Sequence, residues 1–106
     1  MSGQGGTFTV KVGHAANDRM CEHFEFLARV SETAAIKLIE ELVCDIRSLE
    51  RTPLRCPMFE RAGIKKGKYR FLIAGKRYRV VYQVIGDTVF VDDIQDCRQD
   101  ADKDKV

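Results

Sequence analysis

A run of basic residues that contains no acidic residue lies between Arg61 and Arg79. Its members are Arg61, Lys65, Lys66, Lys68, Arg70, Lys76, Arg77 and Arg79, with Tyr69, Phe71 and Tyr78 among them. Lys and Arg neutralise phosphates and aromatic rings stack on unpaired bases, so this composition is typical of a surface that binds nucleic acid. A solvated strand pair whose long charged side chains prevent edge-to-edge aggregation has a similar composition. Both interpretations stay open at this point.

The net charge of +2 conceals this uneven distribution. Residues 1–50 hold eight acidic and five basic residues, and residues 80–106 hold seven acidic and three basic ones. The basic charge is therefore concentrated in the middle of the chain, which favours a polyanionic partner for that segment.

Length and composition indicate one globular domain. A chain of 106 residues with 44% hydrophobic residues can build a single modest core without metal or disulfide crosslinks. Four cysteines are far apart and form no CxxC pair, so no metal and no cofactor is expected. No run of 18 apolar residues and no signal-peptide pattern occurs, so we expect a cytoplasmic protein that does not enter a membrane.

The two ends have the composition of flexible tails. Residues 1–6 are rich in Gly, Ser and Gln, and residues 99–106 alternate Asp and Lys without apolar anchors. We therefore predict a single folded domain over residues 7–98.

The first half of the domain predicts one strand and two helices. Residues 7–12 alternate apolar and polar side chains, the pattern of a half-buried strand. Apolar residues recur at helical spacing from His14 to Val30, and again after Ser31, which is a favourable N-cap. The break between the two helices is short, so they are expected to form an antiparallel hairpin.

The second half predicts three antiparallel strands. They span residues 68–73, 77–85 and 88–94, with Gly86-Asp87 as a hairpin turn. We expect Arg70 and Arg79 to lie on the same side of neighbouring strands and to form one cationic surface. The order β-α-α-β-β-β predicts an α+β fold in which a helical hairpin packs on a twisted antiparallel sheet.

Several short motifs in this order resemble the RelE/ParE superfamily of bacterial type II toxins. The resemblance covers about Phe8 to Asp100. The segments that carry it are Ser31–Ala35, Ile46–Leu49 followed by Pro53, Tyr69-Arg70, Lys76–Val84 and Asp96–Asp100. This resemblance implies a small toxin that is neutralised by a cognate antitoxin, with which it forms a hetero-oligomer.

The resemblance implies two different targets. RelE-type members enter the ribosomal A site and cut mRNA, whereas ParE-type members poison DNA gyrase and are without nuclease chemistry. By resemblance to RelE-type sites, Arg70, Arg79 and Arg98 would be catalytic. From the basic composition of their segment, Lys65, Lys66, Lys68, Lys76 and Arg77 are expected to bind nucleic acid. Two RelE-type features are missing, because Leu72 replaces a basic residue and no tyrosine follows Tyr82.

The leading hypothesis is a ribosome-dependent mRNA interferase, a metal-independent endoribonuclease that inhibits translation. In this hypothesis the arginines would bind the scissile phosphate and stabilise its developing charge, and the ribosome would position the mRNA. The first alternative is a non-enzymatic, ParE-like inhibitor of DNA gyrase. The second is an inert relative that binds only an antitoxin.

Overall fold

The computed structural model describes residues 7–59, 67–75 and 77–97. Its elements are β1 (Thr9–Val12), α1 (His14–Ala28), α2 (Glu32–Ser48), a short 3-10 helix (Pro53–Arg55), β2 (Arg70–Ala74), β3 (Tyr78–Ile85) and β4 (Thr88–Asp96). The predicted order β-α-α-β-β-β is confirmed, as is the α+β class. The tails predicted at residues 1–6 and 99–106 lie outside the described residues.

The four strands form one mixed sheet in the order β1-β4-β3-β2. Strands β2, β3 and β4 pair antiparallel as predicted, but β1 pairs parallel with β4, with Thr9 opposite Thr88. The sheet is therefore not wholly antiparallel. Parallel neighbours need a long connection, and here it contains the two helices, the 3-10 helix, β2 and β3. The helical hairpin returns the chain to the start of β1. There the Phe8 N–H donates to the Glu50 carbonyl at 2.6 Å.

Helix α2 forms as its sequence predicts. The Ala34 N–H donates to Ser31 Oγ at 3.1 Å, so the predicted N-cap satisfies one of the unpaired donors of the first turn. Glu32 lies in that turn, where a carboxylate is favoured by the helix dipole. Four residues at helical spacing are buried against the sheet: Ala35, Leu38, Leu42 and Ile46.

Helix α1 lies over β4 and ends at Ala28, two residues before the predicted end. Its buried His23 contacts β4 beyond Val91, the last residue of β4 that pairs with β1. There, His23 Nε2–H donates to the Ile94 carbonyl at 2.8 Å, and the ring packs on Tyr78 with the ring centres 5.0 Å apart. No helix in the described part of the chain is long and apolar enough to span a membrane.

The core lies between the helical hairpin and one face of the sheet. Its largest fully buried side chains from the strands are Tyr78, Val80, Tyr82, Val89, Val91 and Ile94, and Leu42 and Leu49 come from the helical layer. The Tyr82 hydroxyl donates to the Pro53 carbonyl, which ties the 3-10 helix to the centre of the sheet. No helix of the described residues covers the opposite face of the sheet.

Removing the cap of α2 should lower the stability of the domain. We expect Ser31→Ala to cost about 1 kcal/mol of unfolding free energy, because a helix donor loses its acceptor. The melting temperature should fall by roughly 4–8 °C in a thermal unfolding experiment followed by circular dichroism.

The matched control is Thr33→Ala, two residues further into the same turn and exposed to solvent. Alanine is the better helix former, so this variant should melt at the same temperature as the parent or slightly above it. Equal melting temperatures for Ser31→Ala and the parent would show that the cap contributes no stability.

Candidate functional site

The register between β2 and β3 separates the two arginines predicted to act together. Arg70 lies opposite Tyr82, and Ile73 lies opposite Arg79. Directly opposite residues share a face, so Arg70 lies on the helix side with Tyr82, and Arg79 lies on the other side with Ile73. The prediction that Arg70 and Arg79 form one cationic surface is therefore wrong. Alternation within each strand was assigned correctly, but alternation alone does not give the relative phase of two strands.

Arg70 binds backbone carbonyls. Its Nη1 donates to the Cys56 carbonyl at 2.7 Å and to the Leu54 carbonyl at 3.3 Å. These contacts hold the segment after the 3-10 helix against the start of β2. Because two carbonyls already accept from the guanidinium, the position of Arg70 is explained by a structural role.

Arg79 lies on the open face, the side of the sheet without a helix, which carries Phe71, Ile73, Arg79 and Gln95. Its guanidinium carbon lies 5.3 Å from the centre of the Phe59 ring and 5.8 Å from that of Phe71, within cation–π range of both. Its Nη1 donates to Gln95 Oε1 at 2.9 Å. Two rings and one amide therefore fix the orientation of this side chain.

Phe59 reaches the open face because residues 57–59 run beside β2. The Phe59 N–H donates to the Tyr69 carbonyl at 2.7 Å, and the Phe71 N–H donates to the Pro57 carbonyl at 3.1 Å. Sequence reasoning predicted no helix or strand for this stretch and did not include Phe59 in any site. An apolar residue shortly after Pro57 was the only available signal, and it does not reveal which strand it contacts.

Two consecutive aspartates bind neighbouring side chains on the open face. Gln83 Nε2 donates to Asp92 at 2.7 Å, and Gln95 Nε2 donates to Asp93 at 3.1 Å. Arg19 from α1 lies 3.6 Å from Asp93. A register shift between β3 and β4 occurs at this point, with Val81 opposite Asp93 and Tyr82 opposite Val91, so Asp92 is the extra residue of a β-bulge.

The bulge also brings Asp92 to a tyrosine. Burial, followed by the hydrogen bond and the charge of Asp92, raises the pKa of Tyr69 above its ordinary value. Burial is likewise the main cause that raises the pKa of Tyr82, followed by its contact with Cys56. Both phenols therefore stay protonated at neutral pH and are poor candidates for a general base.

Arg77, predicted to bind nucleic acid, pairs with a carboxylate of the protein itself. Its Nη2 lies 2.8 Å from Asp96 Oδ2, and Asp96 is only 1% exposed. The hydrogen bond to Asp96 raises the pKa of Arg77, and its guanidinium stacks over Tyr78 at 5.1 Å. This pair connects the start of β3 to the end of β4. Sequence reasoning did not identify the burial of Asp96.

The other predicted site residues are distributed as follows. Lys68 is exposed, with its Nζ 5.2 Å from the Tyr69 ring. Leu72, which replaces a basic residue of RelE-type sites, lies opposite Val80 on the helix side and packs against the core. The predicted residues Lys65, Lys66, Lys76 and Arg98 lie outside the described residues. Within the described ranges, no group of three His, Cys, Asp or Glu residues could hold a metal ion.

The fold, a helical hairpin on a mixed four-stranded sheet, is similar to that of a chain in a solved toxin–antitoxin system. The chain matches a structure titled "Chromosomal ParDE TA system from P. aeruginosa" with a TM-score of 0.69 at 12% identity. The match covers 87% of this chain and 98% of that one, and at this identity it shows the shared fold.

The family follows from the sequence comparison. The family model described as "ParE toxin of type II toxin-antitoxin system, parDE" matches residues 8–101. The chain therefore belongs to the ParE toxin family of type II toxin–antitoxin systems, and the predicted superfamily is confirmed. A search of curated proteins found no match.

The contacts of Arg70 predict a loss of stability when it is replaced. We expect Arg70→Ala to lower the unfolding free energy by about 1–2 kcal/mol, since two backbone carbonyls lose a charged donor. Denaturant unfolding followed by circular dichroism would measure this change.

Arg29→Ala is the matched control, because Arg29 is exposed at the end of α1. Its unfolding free energy should stay within about 0.5 kcal/mol of the parent, as is usual for surface substitutions. If Arg70→Ala and Arg29→Ala had the same unfolding free energy, the structural role assigned to Arg70 would be contradicted.

Proposed function

We propose that this ParE-family toxin acts by binding DNA gyrase and that it does not cut RNA. The separation of Arg70 and Arg79 on opposite faces of the sheet carries this proposal. It supports the non-enzymatic alternative over the mRNA interferase, which was the leading hypothesis from the sequence. The family model also favours a ParE-type target, because the superfamily resemblance associates ParE-type members with gyrase.

The described residues provide few of the catalytic groups that RNA cleavage needs. Attack by the 2′-hydroxyl needs a base, convergent cations for the developing phosphorane charge, and a proton for the leaving oxygen. Arg70 and Arg79 cannot converge on one phosphate across the sheet, and arginine itself is a poor base. Leu72 supplies neither charge nor proton. The positions of Arg70, Arg79 and Leu72 are explained more simply by a protein that binds a partner than by one that cuts RNA.

One observation still favours the interferase as a second candidate. Eight basic residues lie between positions 61 and 79 without an acidic residue. Several of these residues, and Arg98, lie outside the described residues. Ribosome-dependent cleavage therefore stays a prediction, which primer extension on mRNA can test. The predicted cytoplasmic location suits either target.

The cognate antitoxin that this family implies has a suitable surface beside β1. No described residue pairs with the outer edge of β1, and a groove of about 210 Å³ lies between that strand and the two helices. Its lining includes Val12 and Val43, which are 40% and 44% exposed. We propose that an antitoxin segment binds along this edge and covers the groove, as in other complexes that extend a sheet.

Two assays with the purified protein distinguish the targets. We expect it to inhibit supercoiling of relaxed plasmid by DNA gyrase, because ParE-type action needs only binding to the enzyme. In a purified translation system, primer extension on mRNA should show no new cuts, with or without ribosomes.

Cuts that require ribosomes and disappear in Arg79→Ala would instead establish an mRNA interferase and contradict the proposal. Normal supercoiling together with intact mRNA, and no growth arrest on expression, would identify an inert relative.

The antitoxin groove predicts a separate effect. Val43→Asp should weaken binding to the product of the neighbouring antitoxin gene by about tenfold or more, because a charge would replace an apolar contact of the groove. Calorimetric titration would measure this, with Leu54→Asp as a control that is also apolar and exposed but lies outside the groove. Equal affinities for the two variants would place the antitoxin elsewhere.

A further inference from the structure

The guanidinium of Arg79 retains hydrogen-bond donors that nothing in the described chain uses. One N–H group of Nη1 is occupied by Gln95, and a guanidinium has five. The remaining groups have no acceptor among the described residues, although Arg79 is only half-exposed. The free N–H groups of Arg79 can therefore donate hydrogen bonds to an acceptor on another molecule.

The side chain is also held in one position before any partner arrives. Phe59 and Phe71 lie within 6 Å of its guanidinium carbon, and their rings meet each other edge to face at 6.0 Å. A cation fixed in this way loses little conformational freedom on binding, so more of its interaction energy contributes to affinity.

The two carboxylates of β4 that lie on the open face with Arg79 already have partners. Asp93 accepts from Gln95 and lies beside Arg19, and Asp92 accepts from Gln83. Neither aspartate forms an ion pair with Arg79 within the described ranges. The open face therefore presents an unpaired cation to its surroundings, and its charge complement is a carboxylate.

Apolar side chains surround this cation. Ile73, directly opposite Arg79 on β2, is 45% exposed, and Phe59 and Phe71 cover the other side. A fixed arginine within an apolar surround is typical of the central residues of protein interfaces, where water is excluded around one strong polar contact. A phosphate backbone would instead need several cations along its length. The open face therefore fits a protein partner better than a nucleic acid.

We infer that the open face is the surface through which this toxin binds its protein target, with an Asp or Glu carboxylate of the target bound to Arg79 and an apolar side chain packed on Ile73. The inference rests on the proposed function and names the surface by which DNA gyrase is recognised.

Substitution of Arg79 tests the carboxylate contact. Arg79→Ala should raise the toxin concentration needed for half-inhibition of gyrase supercoiling by about tenfold or more. Arg79→Lys should also weaken inhibition, because an ammonium lacks the planar pair of donors that a carboxylate accepts. Arg29→Ala, which removes an exposed arginine from the helical layer, should inhibit as the parent does.

A second variant tests the same contact without removing the arginine. Ile73→Glu places a carboxylate of the chain itself opposite Arg79, where it should occupy the free donors and exclude the target. Inhibition should fall by about tenfold or more, while Ile36→Glu, at a similarly exposed position of α2, should have no effect. Thermal unfolding of all variants identifies any that lose inhibition through misfolding.

The outcomes separate the inference from the function on which it rests. Full inhibition by folded Arg79→Ala and Ile73→Glu would overturn the inference, and gyrase inhibition by the parent would still stand. A parent protein that leaves supercoiling unchanged would overturn both. Loss of RNA binding with unchanged gyrase inhibition in the same variants would also overturn the inference, because the open face would then bind a nucleic acid.

Discussion

The register of the hairpin between β2 and β3 determines what each face of this protein can do. With Leu72 opposite Val80 and Ile73 opposite Arg79, the hairpin turns one set of side chains toward the helices and the other toward solvent. Gly75 in the turn adopts φ +60°, a left-handed conformation that few other residues tolerate. A slip of one residue would bury Arg79 beneath the helices and expose the core, so the register is strongly specified.

Side-chain contacts of β2 and β3 and of the turn between them support this register. Arg77 pairs with the buried Asp96, which fixes the start of β3 against the end of β4. In the middle of β3, Tyr82 donates to the Pro53 carbonyl, and Arg70 of β2 donates to the carbonyls of Leu54 and Cys56, so both strands hold the 3-10 helix. The Arg77–Asp96 contact joins a partly exposed guanidinium to a carboxylate that is almost fully buried. A hydrogen bond between charged groups contributes about 1.5–3 kcal/mol to stability, against about 1 kcal/mol for a neutral one such as that of Tyr82.

Local patterns in the sequence predicted most of the fold. The apolar stripe of α2, its Ser31 cap and the alternation of the strands all depend on residues close together in the chain. The open face depended on relations between distant residues: the β2–β3 register, the bulge at Asp92 and the return of Phe59 beside β2. Alternation gives two faces for each strand but no rule for matching them, which is why Arg70 and Arg79 were placed together. The burial of Asp96 was missed for the same reason, since it depends on the β3–β4 register that places Asp96 opposite the buried Tyr78.

The parallel pairing of β1 with β4 has a consequence for how the protein forms. Thr9 and Thr88 are partners although about eighty residues separate them. Contacts between such distant residues form late and slow the folding of small domains, because a large loop must close before the contact stabilises it. During synthesis, β1 has no strand to pair with until β4 has been made. Strand β1 can therefore join the sheet only after β4 has been synthesised, and until then it stays available to other strands.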